Sequence, residues 1–478
     1  MKILFVTSEI SGFFTSGGLG DVSASLPNSI KKIEGTDIRV IAPLYSKINP
    51  TLKDNLKKEA EFEVNLSWRK LYAGIYSLEK DGVTYYFVDN EYYFKRDKLY
   101  GEYDDGERFA YFSLAVVSAL KIIGFYPDIL HANDWQTALT VIYLKLKFRY
   151  NDIKTVFTIH NLEYQGKFSL DILGDVFSLN NEDRWAVEYD GCINLLKGAI
   201  ELSDKITTVS PTYSKEILHD SNAHGLGDIL RRNSTKLSGI LNGIDISVFN
   251  PEIDPLITEN YSSKSLEGKT KCKSTLQKEM NLEVKCVPMF SVISRLVNHK
   301  GIDLIVGCIE EVLINNDIQF LVLGSGEEYY GNFFHYLQNR FRDKVRVVLD
   351  FDPQLARKIY SAGDYFLMPS KNEPCGLAQM IASRYGNIPI VRETGGLYDT
   401  IQPYWIDNGK MMGNGFTFAG YSSFELKDRI EAAIKLYYDK ERFNELRVRI
   451  MERDFSFDDS ALKYHSLYKE LKGEKEWI

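Results

Sequence analysis

Short apolar runs rich in β-branched and aromatic residues alternate with longer amphipathic stretches along the chain. The runs with strand character are KILFVTSE, DIRVIAPLY, DILHAND, TVFTIHN, KITTVSP, VPMFSVISRL, IQFLVLGSG, VRVVLDF, DYFLMPS and NIPIVRET. Such alternation is typical of βα units wound around parallel sheets. The sequence therefore predicts an α/β fold.

Two interruptions of this pattern indicate how the chain is divided. The segment YAGIYSLEKDGVTYYFVDN predicts a hairpin that turns at Asp81 and Gly82. Between Pro251 and Glu283 the apolar runs give way to a polar, lysine-rich stretch. We therefore expect two doubly wound, Rossmann-like domains, 1–250 and 251–455, facing each other over a cleft that collects the loops at the strand ends.

Charge and cysteine content exclude several classes of function. The net charge of -8 argues against nucleic acid or an anionic membrane as the main partner. The five cysteines are widely spaced without a CxxC pair, so neither a disulfide framework nor a zinc site is indicated. Apolar runs are too short for a signal peptide or a membrane span. A reducing, cytoplasmic location and a neutral or locally neutralised ligand are expected.

The first loop, FTSGGLGDV, follows the first predicted strand. Gly17 and Gly18 permit positive φ and close backbone approach, and Asp21 can cap or position groups at the following helix. Amide groups there suit a phosphate or a sugar oxygen. A dinucleotide fingerprint is not complete, because Ser23 stands at the third glycine position, so NAD is not expected. A tight turn without a ligand fits this stretch alone equally well.

In the second half, Arg295 and Lys300 follow a predicted strand and are five residues apart in SRLVNHKGIDL. Both side chains could reach one diphosphate. As an isolated pair they also fit a solvated surface.

Three more loops of the second half follow predicted strands. They are LGSGEE, PSKNEPCGL and RETGGLYDT. Glu373 precedes a proline, where a buried carboxylate needs a hydrogen-bonding task that sugar hydroxyls could supply. Cys375 fits a small packed thiol better than a nucleophile, because no recognised partner is near it in sequence.

The first half contributes two polar strand ends, HANDWQTAL and FTIHNLEYQG. They place His131, Asn133, Asp134, His160 and Asn161 at one sheet edge, together with an indole at position 135. Amide, carboxylate and aromatic groups together are typical of carbohydrate recognition. Structural histidines remain the alternative, and metal binding is the weaker interpretation because no H-x-x-x-H cluster appears.

A series of motifs occurs in a consistent order along almost the whole chain. They are GGLGDV, LYGEYDDGERFAYFS, HANDW, TIHNLEYQG, INLLKG, TTVSPTYSKEI, GILNGID, SRLVNHKG, EPCGL, RYGNIPIVRETGGLYDT and the terminal DFSF segment. In this order they resemble bacterial glycogen synthases and plant starch synthases, which are retaining GT-B glucosyltransferases. The resemblance implies transfer of glucose from a sugar nucleotide, usually ADP-glucose, to an α-1,4-glucan or maltooligosaccharide, and a final segment, 456–478, that returns to the first domain.

The resemblance also implies roles for individual residues. Arg295 and Lys300 would hold the donor diphosphate, approached by Gly17 and Gly18. Glu373 would bind the transferred glucose. The remaining expected contacts with substrate, including the reaction-centre and acceptor residues, are Thr15, Asp21, Asp134, His160, Asn161, Cys375, Gly376, Leu377, Thr394, Gly395 and Gly396. The expected catalytic set is His160, Arg295, Lys300 and Glu373, with no metal and no cofactor beyond the ADP-glucose co-substrate.

The chain departs from the family pattern mainly on the donor side. Thr15 stands where most members carry a lysine thought to contact the donor. Losing a charge-assisted contact of about 1.5 to 3 kcal/mol would weaken the donor complex roughly 10- to 100-fold. The other departures are Gln136, Lys371, Asn372 and Ala378.

These departures leave several interpretations open. They are a synthase with relaxed contacts, one with another nucleotide preference, a weakly active or inactive glucan-binding paralogue, and a transferase with another acceptor. The sequence does not indicate the ADP-glucose or UDP-glucose preference, the acceptor length or the oligomeric state. A plastid location is the alternative if a transit peptide has been removed.

Overall fold

The computed structural model describes residues 1–473, which form two compact α/β units. The first unit comprises Met1–Gly243 and the segment that begins at Phe457, and the second comprises Ile244–Ser456. The first division lies seven residues before the expected boundary after residue 250. Residues 474–478, at the end of the expected returning segment, lie outside the described residues.

The strands of the first unit include the predicted apolar runs, together with a ten-residue strand, Lys57–Leu66, and several short strands that the sequence did not predict. They are β1 Lys2–Val6, β2 Asp37–Pro43, β3 Lys57–Leu66, β4 Arg69–Lys80, β5 Val83–Asp89, β6 Ile129–Asn133, β7 Lys154–Ile159, β8 Lys167–Phe168, β9 Glu188–Tyr189, β10 Cys192–Asn194, β11 Lys205–Thr208 and β12 Leu237–Gly239.

Nine of these strands form the main sheet, in the order β12-β11-β7-β6-β1-β2-β5-β4-β3. Its central strands are parallel, and Phe5 and Leu130 are fully buried in its core. The predicted hairpin is confirmed, because β4 and β5 pair antiparallel from Lys80 and Val83, with positive φ at Asp81 and Gly82. Strands β8, β10 and β9 form a separate small sheet.

The α-helices of the first unit connect these strands and cover the sheet. They are α1 Gly18–Lys31, α2 Pro50–Lys53, α3 Glu91–Phe94, α4 Asp105–Ile122, α5 Trp135–Ile142, α6 Arg184–Val187, α7 Leu195–Leu202, α8 Pro211–Glu216 and α9 Gly227–Arg232. A π-helical turn, Tyr143–Lys147, extends α5, and short 3₁₀ turns occur at Leu170–Ile172, Asn181–Asp183 and Ser234–Lys236.

The second unit is built around a six-stranded parallel sheet in the order β15-β14-β13-β16-β17-β20, beside a small antiparallel pair. Its strands are β13 Met289–Ile293, β14 Gln319–Leu323, β15 Val345–Val348, β16 Tyr365–Met368, β17 Ile388–Arg392, β18 Trp405–Asp407, β19 Lys410–Met412 and β20 Phe416–Phe418.

The helices of the second unit alternate with these strands. They are α10 Glu267–Glu279, α11 Ile302–Val306, α12 Ile309–Asn315, α13 Glu328–Arg340, α14 Pro353–Ala362, α15 Ala378–Arg384, α16 Gly395–Thr400, α17 Ser423–Tyr438 and α18 Lys440–Met451, with a 3₁₀ turn at Asn298–Lys300. In the lysine-rich stretch after Pro251, only α10 is regular structure.

The last described helix, α19 Asp458–Lys472, packs on the first unit. Tyr468 lies within hydrogen-bond distance of His131 Nδ1, at 2.7 Å, and Lys32 Nζ lies 3.2 Å from Asp458 Oδ1. Helix α19 therefore packs on the first unit, although every strand of that unit lies more than 200 residues earlier in the chain. Among residues 1–473, no helix is both long and apolar enough to cross a membrane.

Both main sheets change winding direction at a central strand. Strand β1 lies between β2 and β6, and β13 lies between β14 and β16. In doubly wound sheets, ligands bind at the carboxyl ends of the strands where the winding reverses. The loops after β1, β6, β13 and β16 are therefore the places where a functional site is expected.

Candidate active site

In the second unit, the loops after β13 and β16 meet through an ion pair. Lys300 Nζ lies 2.7 Å from Glu373 Oε2, and Ser370 Oγ donates to the same oxygen at 3.0 Å. The Glu373 side chain is only 8% exposed. Burial strengthens this charge-assisted contact, which fixes the carboxylate at the winding reversal.

Arg295 has a different environment from Lys300, although both lie in the same loop. Its side chain is exposed, and one guanidinium nitrogen lies 3.4 Å from His299 Nε2. The loop therefore presents one cation bound to a buried carboxylate and another at the surface.

The segment from Glu373 to Leu377 is interlocked with the start of α16. A Cβ on Gly395, where φ is +44°, would overlap the carbonyl oxygen of Glu373, and one on Gly396 would overlap that of Cys375. The Gly396 N-H also donates to the Glu373 carbonyl at 3.1 Å. Only glycine allows these two loops to approach so closely.

The other residues predicted in this region lie along the same two loops. Gly376 has φ of +72°, and Leu377 is the residue that precedes α15. Thr394 precedes α16 and is buried, as is Cys375. The structure therefore brings the predicted residues of 373–377 and 394–396 together.

In the first unit, the glycine-rich loop encloses the carboxylate of Glu9. Glu9 Oε2 accepts from the backbone N-H groups of Ser16 at 2.5 Å and Gly17 at 3.1 Å. The hydroxyls of Ser16 and Thr15 lie 3.2 and 3.3 Å from the same oxygen, and Tyr100 OH donates to Oε1 at 3.1 Å. Two loop amides that could bind a ligand oxygen therefore already bind an internal carboxylate.

The glycines of this loop do not adopt the positive φ that the sequence suggested. Gly17 is extended, with φ of -165°, and Gly18 is the first residue of α1. Gly20 is the glycine that packing requires, because a Cβ there would overlap Thr15 Oγ1. Asp21 lies within the first turn of α1 and accepts from Ser11 Oγ at 2.5 Å, so it anchors the preceding loop instead of occupying the cap position.

Asp134, His160 and Asn161 come together at the ends of β6 and β7. The His160 N-H donates to Asp134 Oδ1 at 2.7 Å, and the Asn161 N-H also bonds this carboxylate. His160 Nε2 lies 2.9 Å from Asn133 Oδ1, while the Asn133 amide nitrogen donates to the Val6 carbonyl at 3.0 Å. Because that amide presents its oxygen to the imidazole, His160 carries its proton on Nε2 and keeps Nδ1 as an acceptor.

Burial changes the ionisation of this first cluster. It raises the pKa of Asp134 to about 7, against the lowering effect of the His160 and Asn161 amides. It lowers the pKa of His160 to about 3, so the imidazole is neutral near pH 7. Burial also raises the pKa of Glu9, although the amides of Ser16 and Gly17 oppose this shift.

Two further residues from the same motifs have packing contacts. His131 is fully buried between Tyr468 OH and Thr158 Oγ1, at 2.7 and 2.6 Å, which matches the structural alternative. Trp135 packs edge-on against Phe109, with ring centroids 5.3 Å apart.

Sequence reasoning did not select Glu9, Tyr100 or Ser370. Glu9 directly follows the first apolar run, and Tyr100 lies in the LYGEYDD motif, but neither position has a distinctive local pattern. The partners of the Glu9 carboxylate lie 6 to 91 residues away from it in the chain, so its contact with Tyr100 exists only after folding. For metals, the described part of the chain contains no group of three or more His, Cys, Asp or Glu that could hold an ion.

Comparisons with known proteins agree across the whole chain. The family described as starch synthase catalytic domain matches residues 2–232, and the family described as glycosyl transferases group 1 matches residues 275–450. A glycogen synthase of Bacillus cereus is 45% identical, with 98% of this chain and 100% of the relative covered. One from Clostridium botulinum is 46% identical, with 98% and 99% covered.

Solved structures show the same relationship. The catalytic domain of starch synthase IV from Arabidopsis thaliana, bound to ADP and acarbose, is 34% identical with a TM-score of 0.89, covering 98% of this chain and 99% of that one. Sucrose-phosphate synthase from Thermosynechococcus elongatus has a TM-score of 0.62 at 15% identity, covering 99% of this chain and 100% of that one. The second similarity concerns the fold alone.

Proposed function

The chain belongs to the glycogen and starch synthase family of GT-B glycosyltransferases, and on that premise we propose that it transfers glucose from ADP-glucose to the non-reducing end of an α-1,4-glucan. The family relationship identifies the protein as a glycosyltransferase. The names of its relatives support glycogen synthesis as the reaction, and the ADP and acarbose bound to the Arabidopsis starch synthase support a nucleotide sugar and a glucan as its substrates.

The observation that carries the proposal is the ion pair between the half-buried Lys300 and the buried Glu373, 2.7 Å apart. A donor with an anionic diphosphate and a neutral sugar needs a cation and a hydrogen-bonding carboxylate close together. Lys300 supplies the cation for the diphosphate, with Arg295 from the same loop, and Glu373 supplies the acceptor for glucose hydroxyls. The backbone groups of 375–377 and 394–396 support the same ligand.

The first cluster suits a neutral, hydroxyl-rich ligand. His160 is neutral and keeps an acceptor nitrogen, and Asp134 titrates near pH 7. Together with Asn161 these groups can donate to and accept from sugar hydroxyls without adding a full charge. We assign them to the glucose and the acceptor chain.

The mechanism that fits these groups is front-face transfer with retention of configuration. As the nucleotide departs, Lys300 and Arg295 stabilise the charge that develops on the diphosphate, and a diphosphate oxygen takes the proton from the attacking glucan hydroxyl. Asp134 is a poor nucleophile here because burial favours its protonated form and its carboxylate already accepts two amides. Besides lining the sugar site, Asp134 holds the His160 segment through these two bonds.

The glycine-rich loop of the first unit differs from the family pattern at Thr15. Where relatives are expected to present a lysine, the threonine hydroxyl lies 3.3 Å from Glu9, so the loop adds no cation. Positive charge for the diphosphate then comes from the second unit's loop. The reaction as proposed needs no metal, and transfer that is lost on addition of a chelator would contradict this part of the proposal.

The test is nucleoside diphosphate release by the purified protein with a short maltooligosaccharide, comparing ADP-glucose with UDP-glucose. Chain lengthening with faster ADP release supports the proposal. Chain lengthening only with UDP-glucose would show that UDP-glucose, and not ADP-glucose, is the donor. Nucleotide release without chain lengthening would show that the α-1,4-glucan is not the acceptor. Absence of release from both donors would overturn the enzymatic proposal and favour a glucan-binding paralogue.

A further inference from the structure

A solvent-exposed tryptophan lies at the tip of the hairpin formed by β3 and β4. Trp68 lies in the two-residue connection between Leu66 and Arg69, which are paired in the hairpin, and it is 73% exposed. The preceding residue, Ser67, has a positive φ of 56°, so the chain turns sharply there. An indole left this exposed adds little to the core, and its apolar ring with a polar N-H is suited to contact a ligand that is partly apolar and partly polar.

The indole is nevertheless fixed in orientation. Its Nε1 donates to Asp175 Oδ1 at 2.5 Å, and the Arg69 guanidinium lies 4.5 Å from the ring centroid. Arg69 is itself held by Asp175 Oδ2 and Glu107 Oε2, each at 3.1 Å. A ring that is already oriented loses little conformational entropy when a ligand stacks on it.

The sheet topology puts this tip at the same edge as the loops of the first cluster. Strand β4 runs antiparallel to β5, and Gly74 pairs with Asp89, so residues 69–73 continue past the carboxyl end of β5. Strand β5 is parallel to β2, which is parallel to β1. In the order β7-β6-β1-β2-β5-β4-β3 the edge strand is five places from β6 and six from β7, roughly 24 to 29 Å at ~4.8 Å per strand.

We propose that Trp68, with Arg69 and Asp175 beside it, is a stacking platform for the acceptor glucan at a position several glucose units from its growing end. This inference rests on the proposed function, which supplies the glucan. The indole face accepts the apolar face of a glucose ring, and the neighbouring carboxylate and guanidinium hydrogen-bond its hydroxyls. Because Arg69 is paired with both Asp175 and Glu107, the platform carries no excess positive charge, and it suits a neutral polysaccharide and not a polyanion.

The experiment measures glycogen binding independently of turnover, by native electrophoresis of the full chain through gels that contain glycogen. The parent is compared with Trp68→Ala and with Trp185→Ala, which removes another exposed tryptophan of the same unit. We expect Trp68→Ala to bind glycogen about 3- to 10-fold more weakly, the size of one aromatic stacking contact. Trp185→Ala should migrate as the parent does.

A second measurement distinguishes the loss of a contact with a long glucan from a general structural defect of the variant. For Trp68→Ala, the ratio of KM for glycogen to KM for maltotriose should rise by about the same 3- to 10-fold. A structural defect would instead raise both KM values or lower the melting temperature. If Trp68→Ala does melt earlier, Asp175→Asn keeps the ring and loosens its anchor, and the ratio should rise by a smaller factor.

The platform proposal would be overturned if the parent and Trp68→Ala migrated alike in glycogen gels. It would also be overturned if Trp185→Ala weakened glycogen binding as much as Trp68→Ala does. A concentration-dependent dimer lost in Trp68→Ala, without a change in glycogen binding, would assign the surface to a second copy of the chain instead. These outcomes are separate from failure of the proposed function. If glycogen retards the parent but the parent releases no nucleotide, the enzymatic proposal would be contradicted and the platform proposal would still stand.

Discussion

The polar loops of the two units differ in how they carry charge. In the second unit, the half-buried Lys300 forms an ion pair with the buried Glu373, and Arg295 adds an exposed cation. In the first unit, burial moves the pKa of Asp134 up to about 7 and that of His160 down to about 3. One unit therefore retains charged groups at its strand ends, whereas the other suppresses them.

The difference has a simple physical basis and suggests a division of labour. A buried charge persists only where a partner compensates its lost hydration, and Lys300 has such a partner in Glu373. Asp134 has amide donors but no cation in direct contact among its described hydrogen bonds, so its neutral form is favoured. Charged groups match the diphosphate of a donor, and neutral ones match sugar hydroxyls.

Replacing Lys300 by methionine removes the cation that pairs with Glu373 in the second unit. We expect kcat/KM for ADP-glucose to fall about 10³-fold, because a preorganised cation is lost from the departing diphosphate. The measurement is the rate of nucleoside diphosphate release at varied donor concentration. Lys371→Met, at an exposed neighbouring lysine, is the control. Equal losses in both variants would contradict a specific role for Lys300.

The Asp134→Asn variant tests the suppressed charge of the first unit. Since the folded-state pKa of Asp134 is raised, the unfolded chain loses this proton first, and stability falls as pH rises between about 4 and 7. The variant should therefore gain stability relative to the parent across that window, on the order of 4 kcal/mol. Thermal unfolding from pH 4 to 8 measures it.

The histidines of this unit affect the pH dependence of folding stability in the opposite direction. Their contribution is the same in Asp134→Asn and in the parent, so it cancels when the two proteins are compared. His131 and His160 have lowered pKa values, so they make the folded state less stable as pH falls from about 6.5 towards 3 in both proteins. A difference between variant and parent that does not change with pH would show that Asp134 is ionised normally.

Glu373→Gln keeps the shape of the side chain but removes its charge. We expect kcat to fall about 100-fold, since hydrogen bonds to a charged group contribute roughly 2 to 3 kcal/mol. Glu393→Gln is a matched control in the same unit, because its carboxylate accepts from Thr417 Oγ1 at 2.7 Å. Mass spectrometry of Glu373→Gln after mixing with donor tests the mechanism, since a glucosylated side chain would contradict front-face transfer.

The smallest effect is expected from giving the first unit a cation. Thr15→Lys should tighten donor binding by about 10-fold, the lower end of a charge-assisted contact, because Glu9 lies beside position 15 and would pair with part of the charge. Donor titration measures it, with Thr15→Met as the uncharged control. A similar gain in both variants would show that size at this position matters and not charge.

Much of the architecture could be predicted because its signals are local. The α/β class and the Asp81-Gly82 hairpin are confirmed, since apolar periodicity and turn residues act over a few positions. The order of motifs along the chain was sufficient to indicate the family. The residues predicted at Lys300 and Glu373 contact each other, while their roles in the reaction stay predictions.

Other features could not be predicted because they depend on distant partners. Tyr468 packs against His131 from 337 residues away, which separates a structural histidine from His160. The extended φ of Gly17 depends on the local path that places its amide on Glu9, and glycine permits several such paths. Trp68 is oriented by Asp175, which lies 107 residues later in the chain.

Local patterns in this chain are enough to predict its α/β class, most of its longer strands, the loops that follow them and its family. Partner choice and protonation depend on the folded state. Glu9 takes the loop amides, Glu373 takes Lys300, and Asp134 approaches neutrality because hydrogen bonding and desolvation act between groups that only folding brings together.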